Sequence, residues 1–293
     1  MRFTRILVPL DGSRLAEAVV PAACSVAKTL GARLLLLHVL EREPPATVHG
    51  QAHLRTEQEA RAYVDEHAES LRRLGIGVDV HVHERPVGDV AAAIDQHAHE
   101  LEADLIAMCA HGRTNLRTRL TGSIAERILR GGSVPILLRT VREPEAASFD
   151  LRKLLVPIDF GHDVDTALAA ARALAVPYAA DVVLLSALEP ASPPSGGMLP
   201  GTSALTRELD HEALVRRLDE LAGDLRDEIA EVETIVEERR PTDAILAASD
   251  ALPADLVVLV TDAHGGLAAW YDPPTAQRML ARPAQTLLLI KEL

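Results

Sequence analysis

Short apolar runs alternate with longer amphipathic stretches along the first half of the chain. Five runs rich in branched aliphatic residues predict β-strands. They lie at Ile6 to Pro9, Arg33 to Val39, Val78 to Val82, Leu105 to Cys109 and Val134 to Leu138. Four stretches with helical periodicity lie between them, at Leu15 to Leu30, Arg55 to Leu74, Val87 to Leu101 and Ser123 to Leu129. This alternation predicts a parallel sheet connected by right-handed crossovers.

Glycine and proline mark expected helix ends. Gly31 and Gly75 follow the first two helical stretches, where a residue with left-handed backbone is expected at the C-cap. Pro21 lies inside the first helical stretch, where it predicts either a kink or a late helix start.

The second half of the chain repeats the first. The sequence RILVPLD at Arg5 to Asp11 recurs as KLLVPID at Lys153 to Asp159. Later, ADLI at Ala103 to Ile106 recurs as ADLV at Ala254 to Val257. Such internal similarity predicts two tandem copies of one α/β domain.

Each copy is expected to be a doubly wound domain with a five-stranded parallel sheet in the order 3-2-1-4-5. The polar segment Arg142 to Asp150 is typical of a linker, which gives domains at residues 1–141 and 151–293. The last strands, Val134 to Leu138 and Thr286 to Ile290, are apolar and belong at sheet edges, which proteins cover. The two copies are therefore expected to pair through these strands around a pseudo-twofold axis.

Composition and charge narrow the function. Apolar residues make up 48% of the chain and aromatic residues only 2%, so the core is built from Ala, Val, Ile and Leu. The net charge of -13 argues against a nucleic-acid partner and against an anionic membrane surface. A small anion such as a nucleotide remains compatible, because a helix N-terminus with a few local arginines can hold it.

Cysteine usage and hydropathy predict a cytoplasmic protein. Cys24 and Cys109 are too few for a disulfide framework in a chain of this size. No apolar run approaches the ~20 residues that a membrane-spanning helix needs. The short apolar run at the start is broken by Pro9 and Asp11, which does not predict a signal peptide.

Two polar loops are the candidate binding loops. Ligands of open parallel sheets bind beyond the carboxyl ends of the strands, where the strand order reverses. In this order the reversal lies between the first and fourth strands of the domain. The loops that follow those strands are Pro9 to Ser13 and Cys109 to Ser123.

The second of these loops has the features of a phosphate-binding loop. Gly112 allows the backbone to approach a ligand, and Gly122 and Ser123 open a helix that continues from Ile124. Unpaired N–H groups, the helix dipole and the serine hydroxyl all favour a phosphate at such a position. Three arginines add local positive charge: Arg113, Arg117 and Arg119.

These motifs resemble the universal stress protein family. Gly112, followed after nine residues by Gly122 and Ser123, is similar to that family's ATP-binding signature, Gly-x2-Gly-x9-Gly-[Ser/Thr]. Cys109 stands where the signature has its first glycine. The opening sequence VPLDGS is similar to the family's first-strand motif, and the resemblance covers both copies.

The resemblance implies an adenine-nucleotide site in the first copy, with ATP as ligand, with or without Mg²⁺. Asp11 and Val39 would reach the nucleoside, while the glycines and Ser123 would hold ribose and phosphates. The full set of implied site residues is Pro9, Asp11, Val39, Cys109, Gly112, Arg113, Gly122, Ser123 and Ile124.

The second copy has lost most of this set. It keeps Asp159 and Gly265, but Pro273 and Pro274 stand where the Gly–Ser pair is expected. Proline has no N–H to offer a phosphate, and no arginine lies between His264 and Thr275. We therefore predict one nucleotide per chain, bound in the first copy.

Several of these residues also have plain structural interpretations. Asp11 is the residue type of an N-cap or turn, Ser123 can be only a helix cap, and Cys109 is either a small core residue or a reactive thiol. His81 and His83 point to one face of a strand, with His97 and His99 nearby. These histidines are typical of a partly solvated face, and metal binding is the alternative.

Three functions stay open at the level of the sequence. The first is a stress-response protein that binds ATP in a regulatory role, with at most slow hydrolysis. The second is an enzyme, either an ATPase or a nucleotidyl-transferring protein, although no Walker loop or nucleophile elbow is present. The third is a nucleotide-free interaction protein. Formation of a homodimer by the whole chain also stays open.

Overall fold

The computed structural model of the chain describes residues 1–111, 124–141, 148–161, 163–190, 200–261, 278–279 and 286–291. The chain divides into two compact units. The first consists of Met1–Asp150 and Thr261–Leu293, and the second of Leu151–Val260.

The first unit alternates strands and helices as its sequence predicts. Its strands are β1 Arg5–Pro9, β2 Arg33–Glu41, β3 Thr47–Val48, β4 Gln51–Ala52, β5 Val78–Val87, β6 Leu105–His111 and β7 Ile136–Val141. Its helices are α1 Arg14–Glu17, α2 Val20–Leu30, α3 Glu57–Arg73, α4 Val90–Glu100 and α5 Ile124–Gly131.

The sheet of the first unit has the predicted order. Strands β5, β2, β1, β6 and β7 pair side by side in that sequence, and all are parallel. Numbered within the domain, this is the order 3-2-1-4-5. The order reverses between β1 and β6, where Ile6 pairs with Leu105. A ligand is expected beyond the carboxyl ends of the strands, at the position of this reversal.

The second unit repeats this arrangement. Its strands are β8 Lys153–Pro157, β9 Asp181–Ala187, β10 Val232–Glu237 and β11 Leu256–Thr261. Its helices are α6 Val164–Tyr178, α7 Pro200–Arg226 and α8 Pro241–Ala251. The strands are parallel in the order β10, β9, β8 and β11, which matches 3-2-1-4.

The final strand of the chain, β12 (Thr286–Lys291), falls in the first compact unit. It pairs antiparallel with β7, so that Leu287 lies opposite Leu138 and Leu289 lies opposite Ile136. This pairing confirms the expectation that the apolar edges of the two final strands cover each other.

Local sequence signals explain where the helices begin and end. Pro21 lies in the first turn of α2, where its missing N–H costs nothing, and the predicted stretch from Leu15 to Leu30 is divided into α1 and α2 just before it. Gly31 ends α2 with a left-handed φ of 67°. Thr56 and Glu59 form a reciprocal capping box at the start of α3. Asp89 caps α4 by accepting a hydrogen bond from Ala92 N.

Several boundaries differ from the prediction, and three of them bear on the packing of β5, α4 and β7. Strand β5 continues to Val87 instead of ending at Val82, because β2 keeps pairing with it beyond a register shift, and Arg42 N donates to Val87 O at 2.9 Å. Helix α4 consequently starts at Val90. Strand β7 starts at Ile136, two residues after the predicted position.

The segment expected to be a plain loop, Glu41 to Leu54, contains a small hairpin formed by β3 and β4. Its two turn residues, His49 and Gly50, have φ values of 49° and 83°. Two positive φ angles in a two-residue connection are typical of a type I′ turn. In the second copy, residues 191–199 of the corresponding segment lie outside the described residues, and α7 begins at Pro200.

Candidate functional site

The carboxyl ends of β1, β2 and β6 lie side by side at the point where the strand order reverses. Pro9 ends β1 opposite Leu37 of β2, and Leu10 N donates to Leu37 O at 2.8 Å. Val39 lies two residues further along β2 and is buried. Pro9, Asp11 and Val39 therefore share one end of the sheet.

Asp11 has the turn role that its residue type indicated. Its Oδ1 accepts hydrogen bonds from Ser13 N at 2.9 Å and from Ser13 Oγ at 2.6 Å. Ser13 Oγ in turn accepts from Ala16 N at 3.1 Å, so Ser13, not Asp11, is the N-cap of α1. The second oxygen, Oδ2, lies 3.7 Å from His49 Nε2 and stands apart from the turn.

Gly12 is required by its conformation and by its neighbour. Its φ of 86° lies in the left-handed region. A Cβ at this position would lie 3.0 Å from Leu54 Cδ1, which is closer than ordinary packing allows. The close approach presses the end of the hairpin segment against the turn after β1.

The hairpin segment is held against the end of the sheet by further polar contacts. Gln51 Oε1 accepts a hydrogen bond from Arg14 N at 2.8 Å. The buried ring of His53 contacts Leu54 O through Nδ1 at 3.0 Å and Glu41 Oε1 through Nε2 at 3.3 Å. The segment therefore forms one wall beside Asp11.

A buried histidine beneath this wall was not anticipated from the sequence. Nδ1 of His38 lies 2.7 Å from Leu10 O, and since a carbonyl can only accept, this nitrogen carries the proton. Burial lowers the pKa of His38 and favours the neutral ring. Its Nε2 is buried and has no hydrogen-bond partner among the described residues. In the second copy, Ser186 Oγ donates to Ile158 O at 3.1 Å, so comparing the two copies would have revealed this position.

Cys109 lies in β6 beside Arg139 of β7. Burial raises the pKa of the Cys109 thiol to about 12, and the charge of Asp11 adds to this effect, while the Arg139 cation opposes it. A thiol that keeps its proton at neutral pH is a poor nucleophile. The structure therefore argues against a reactive thiol at Cys109, and the pairing of β1 with β6 places Cys109 and Asp11 at the same end of the sheet.

Helix α5 packs against α4. Arg127 forms an ion pair with Asp89, the N-cap of α4. Gly132, just beyond α5, has no room for a side chain, because a Cβ there would overlap Asp95 Oδ1 and lie 2.8 Å from Ile128 O. Ile124, the first residue of α5, is exposed. The position of α5, the helix that follows the expected phosphate loop, is therefore defined by its packing on α4.

Most of the remaining site residues predicted from the sequence lie in segments that the structure does not describe. Gly112, Arg113, Gly122 and Ser123 lie outside the described residues, as does the loop of the second copy with His264, Gly265, Pro273 and Pro274. Asp159 has a turn role, because its Oδ1 accepts from Gly161 N at 2.8 Å.

The four histidines singled out in the sequence do not stay together. His81 and His83 contact His97, whereas His99 lies 3.8 Å from Asp95 through its Nε2. No group of histidine, cysteine and carboxylate side chains suited to a metal ion occurs in the described part of the chain. Nor does any helix in that part combine the length and apolar character needed to cross a bilayer.

Comparison with known proteins assigns the family. The model of the universal stress protein family matches the chain twice, at residues 2–139 and 150–291. A universal stress protein of Methanocaldococcus jannaschii is 31% identical over 153 residues, covering 49% of this chain and 84% of that protein. One from Synechocystis is 31% identical over 137 residues, covering 46% and 85%.

The fold is also found in solved structures. The crystal structure of a universal stress protein from Archaeoglobus fulgidus superimposes with a TM-score of 0.71 at 20% identity, covering 99% of this chain and 97% of that one. The sequence match of both halves and the likeness in fold agree with the repeat seen in the sequence. The chain therefore belongs to the universal stress protein family and carries two copies of its domain in tandem.

Proposed function

We propose that the first copy binds an adenine nucleotide, ATP, and that the chain acts as a regulatory nucleotide-binding protein of the cytoplasm. The observation that carries this proposal is the shared position of Asp11, Val39 and Cys109 at the end of the sheet where the strand order reverses. Ligands of doubly wound folds bind at this point.

The nucleoside would lie between the turn after β1 and the end of β2. Oδ1 of Asp11 is occupied by Ser13, and this fixes the carboxylate so that Oδ2 can accept a hydrogen bond from the ligand. Val39, buried beside it, would offer its backbone to the base. The hairpin segment around His49 would close this side of the pocket.

The phosphates would be held by the loop from Gly112 to Ser123 and by the start of α5. Gly122 and Ser123 would supply backbone N–H groups and a hydroxyl, and Arg113 would supply positive charge. The packing of α5 on α4 and the ion pair of Arg127 with Asp89 support this role, because they orient the helix before any ligand arrives.

A regulatory role fits the chemistry better than rapid turnover. The Cys109 thiol is protonated at neutral pH, and one oxygen of the Asp11 carboxylate is already engaged by Ser13. Neither group is therefore prepared to activate a nucleophile against a phosphate. Turnover of ATP that depends on Mg²⁺ and clearly exceeds the background rate would favour the enzyme alternative.

The second copy would have no nucleotide site of its own. Pro273 and Pro274 remove N–H donors from the position of the phosphate loop. Asp159 accepts a hydrogen bond from Gly161 N within the turn that follows β8. We propose domain boundaries at residues 1–141 and 151–293, with a single nucleotide bound by the first domain. The acidic charge of the chain supports the proposal that nucleic acid is not a partner.

Calorimetric titration of the full chain with ATP tests this function. Gly122→Val should abolish binding, because a branched side chain blocks the approach of a phosphate to the backbone. Gly265→Val, which alters the glycine kept in the corresponding loop of the second copy, is the control and should leave the affinity unchanged. Wild-type affinity in Gly122→Val would show that the loop is not the binding site.

A further inference from the structure

Three imidazole rings meet between β5 and α4. His81 and His83 lie two residues apart on β5 and so project from the same face of the sheet. His97 of α4 packs against both, with ring centroids 4.5 Å from His81 and 4.9 Å from His83. His97 is only 5% exposed, so two half-buried titratable rings contact one buried titratable ring.

Two of the rings are joined directly. Nδ1 of His83 lies 2.8 Å from Nε2 of His97, so one nitrogen carries a proton and donates a hydrogen bond to the other. Nδ1 of His97 lies 3.1 Å from Glu100 Oε2, and the carboxylate favours a proton on that nitrogen. His97 Nε2 is then the acceptor and His83 Nδ1–H the donor. In this state both rings are neutral.

We propose that His81, His83 and His97 form a proton-sensitive latch, the histidine latch, which holds α4 against β5 at neutral pH and releases it in mild acid. One added proton can occupy the outer nitrogen of His83 without breaking the bond to His97. A second proton on Nε2 of His97 places two N–H groups face to face and leaves no acceptor between them. His81, packed against His97, adds further repulsion once it is charged.

The neighbouring charged groups do not remove this repulsion. Glu100 is the carboxylate nearest to His97, but its side chain is 51% exposed, so water screens its charge. Glu84 and Arg85 of β5 are exposed, so water screens their charges as well, and three pairs of opposite sign lie on the packed elements. These pairs are His99 with Asp95 on α4, Arg33 of β2 with Asp79 of β5, and Arg127 of α5 with Asp89 of α4.

The titration of His97 gives the direction of the effect. Burial lowers the pKa of His97, the charges of His81 and His83 lower it further, and Glu100 opposes them only in part. A histidine whose pKa is lower in the folded state stabilises the fold fully above its unfolded pKa of about 6.5. That stabilisation is lost as the pH falls below this value. The latch is therefore closed at neutral pH.

Release of the latch would reach the proposed nucleotide site, a step that rests on the proposed function. Helix α4 packs against α5 and is joined to it by the ion pair of Asp89 with Arg127, and the space between Asp95 and Gly132 is too narrow for a side chain at residue 132. A change in the position of α4 therefore changes the support of the helix that follows the phosphate loop. We expect ATP to bind more weakly in mild acid.

Urea unfolding of the full chain at pH 7.5 and pH 5.5 tests the latch. The urea concentration at the unfolding midpoint of the wild type should be lower at pH 5.5 than at pH 7.5. The folding equilibrium constant should change by roughly tenfold for each unit by which the pKa of His97 is lowered on folding. His83→Gln should show a clearly smaller difference between the two pH values. His99→Gln is the matched control, because it removes a histidine of the same region without touching the latch, and it should behave as the wild type.

Equal pH dependence in the wild type and in His83→Gln would overturn the proposal. An increase of the wild-type midpoint with Zn²⁺ at pH 7.5 that is absent from His83→Gln would also overturn it, because the rings would then form a metal site. If His83→Gln does not fold, His81→Gln replaces it. Calorimetry with ATP at both pH values tests the coupling: no binding at either pH refutes the proposed function alone, whereas the same pH dependence of affinity in His83→Gln refutes the coupling.

Discussion

Replacing Ser13 by alanine should uncouple the turn after β1 from helix α1. Ser13 is fully buried, and its hydroxyl makes two contacts. It accepts a hydrogen bond from Ala16 N as the cap of α1, and it donates to Asp11 Oδ1 at 2.6 Å. Alanine removes both contacts while the backbone N–H of residue 13 can still reach Asp11.

The expected cost follows from these two contacts. Loss of an N-cap hydroxyl costs about 1 kcal/mol. Loss of a hydrogen bond to a carboxylate costs about 1–2 kcal/mol here, below the full range for a charged partner, because the Asp11 side chain is 37% exposed. Ser13→Ala should therefore lower the free energy of unfolding of the first unit by about 2–3 kcal/mol, and it should weaken ATP binding because Asp11 is no longer held in one orientation.

Thr56→Ala provides a matched control for this substitution. Thr56 caps α3 through the same kind of hydrogen bond, to Glu59 N, but it does not contact Asp11. It should cost about 1 kcal/mol of stability and leave ATP affinity unchanged. Urea unfolding and calorimetric titration of both variants provide the comparison. Equal stability losses together with equal ATP affinities would refute the account of how Asp11 is positioned.

Two further predictions concern the packing of the first unit. Gly132→Ala should destabilise the first unit by about 1–3 kcal/mol, because the added methyl group meets both Asp95 and Ile128 O. Gly131→Ala, at a position with open space, should have little effect. Thermal unfolding of both variants measures the difference, and equal melting temperatures would contradict the prediction. Residues 1–141 expressed alone should self-associate, because β7 loses the pairing with β12 that covers its apolar edge. Light scattering should detect a dimer, and a stable monomer at high concentration would contradict the prediction.

The parts of the fold that the sequence predicted depend on local patterns. The runs of branched aliphatic residues located the strands, and the position of Pro21 limited the start of α2. The hairpin of β3 and β4 was missed because each of its strands has only two residues, too few to show alternation. The signal was the dipeptide of His49 and Gly50, whose positive φ angles make the turn.

The polar contacts of the site could be predicted only in part. Asp11 and Cys109 were identified from motif spacing, and their spatial proximity follows from the strand order. The bond of His38 to Leu10 O and the meeting of His83 with His97 depend on how strands and helices pack across many residues. No periodicity in a single segment encodes such contacts. They become visible only when β2, β5 and α4 are in place.

The most direct test of the proposed function is the number of nucleotides bound by each full-length chain. Calorimetric titration with ATP should give one site per chain. A crystal structure of the complex should show the nucleotide beside Asp11 and the start of α5, with none beside Asp159. Two sites per chain, a nucleotide in the second copy alone, or no binding at all would contradict the assignment of a single site to the first copy.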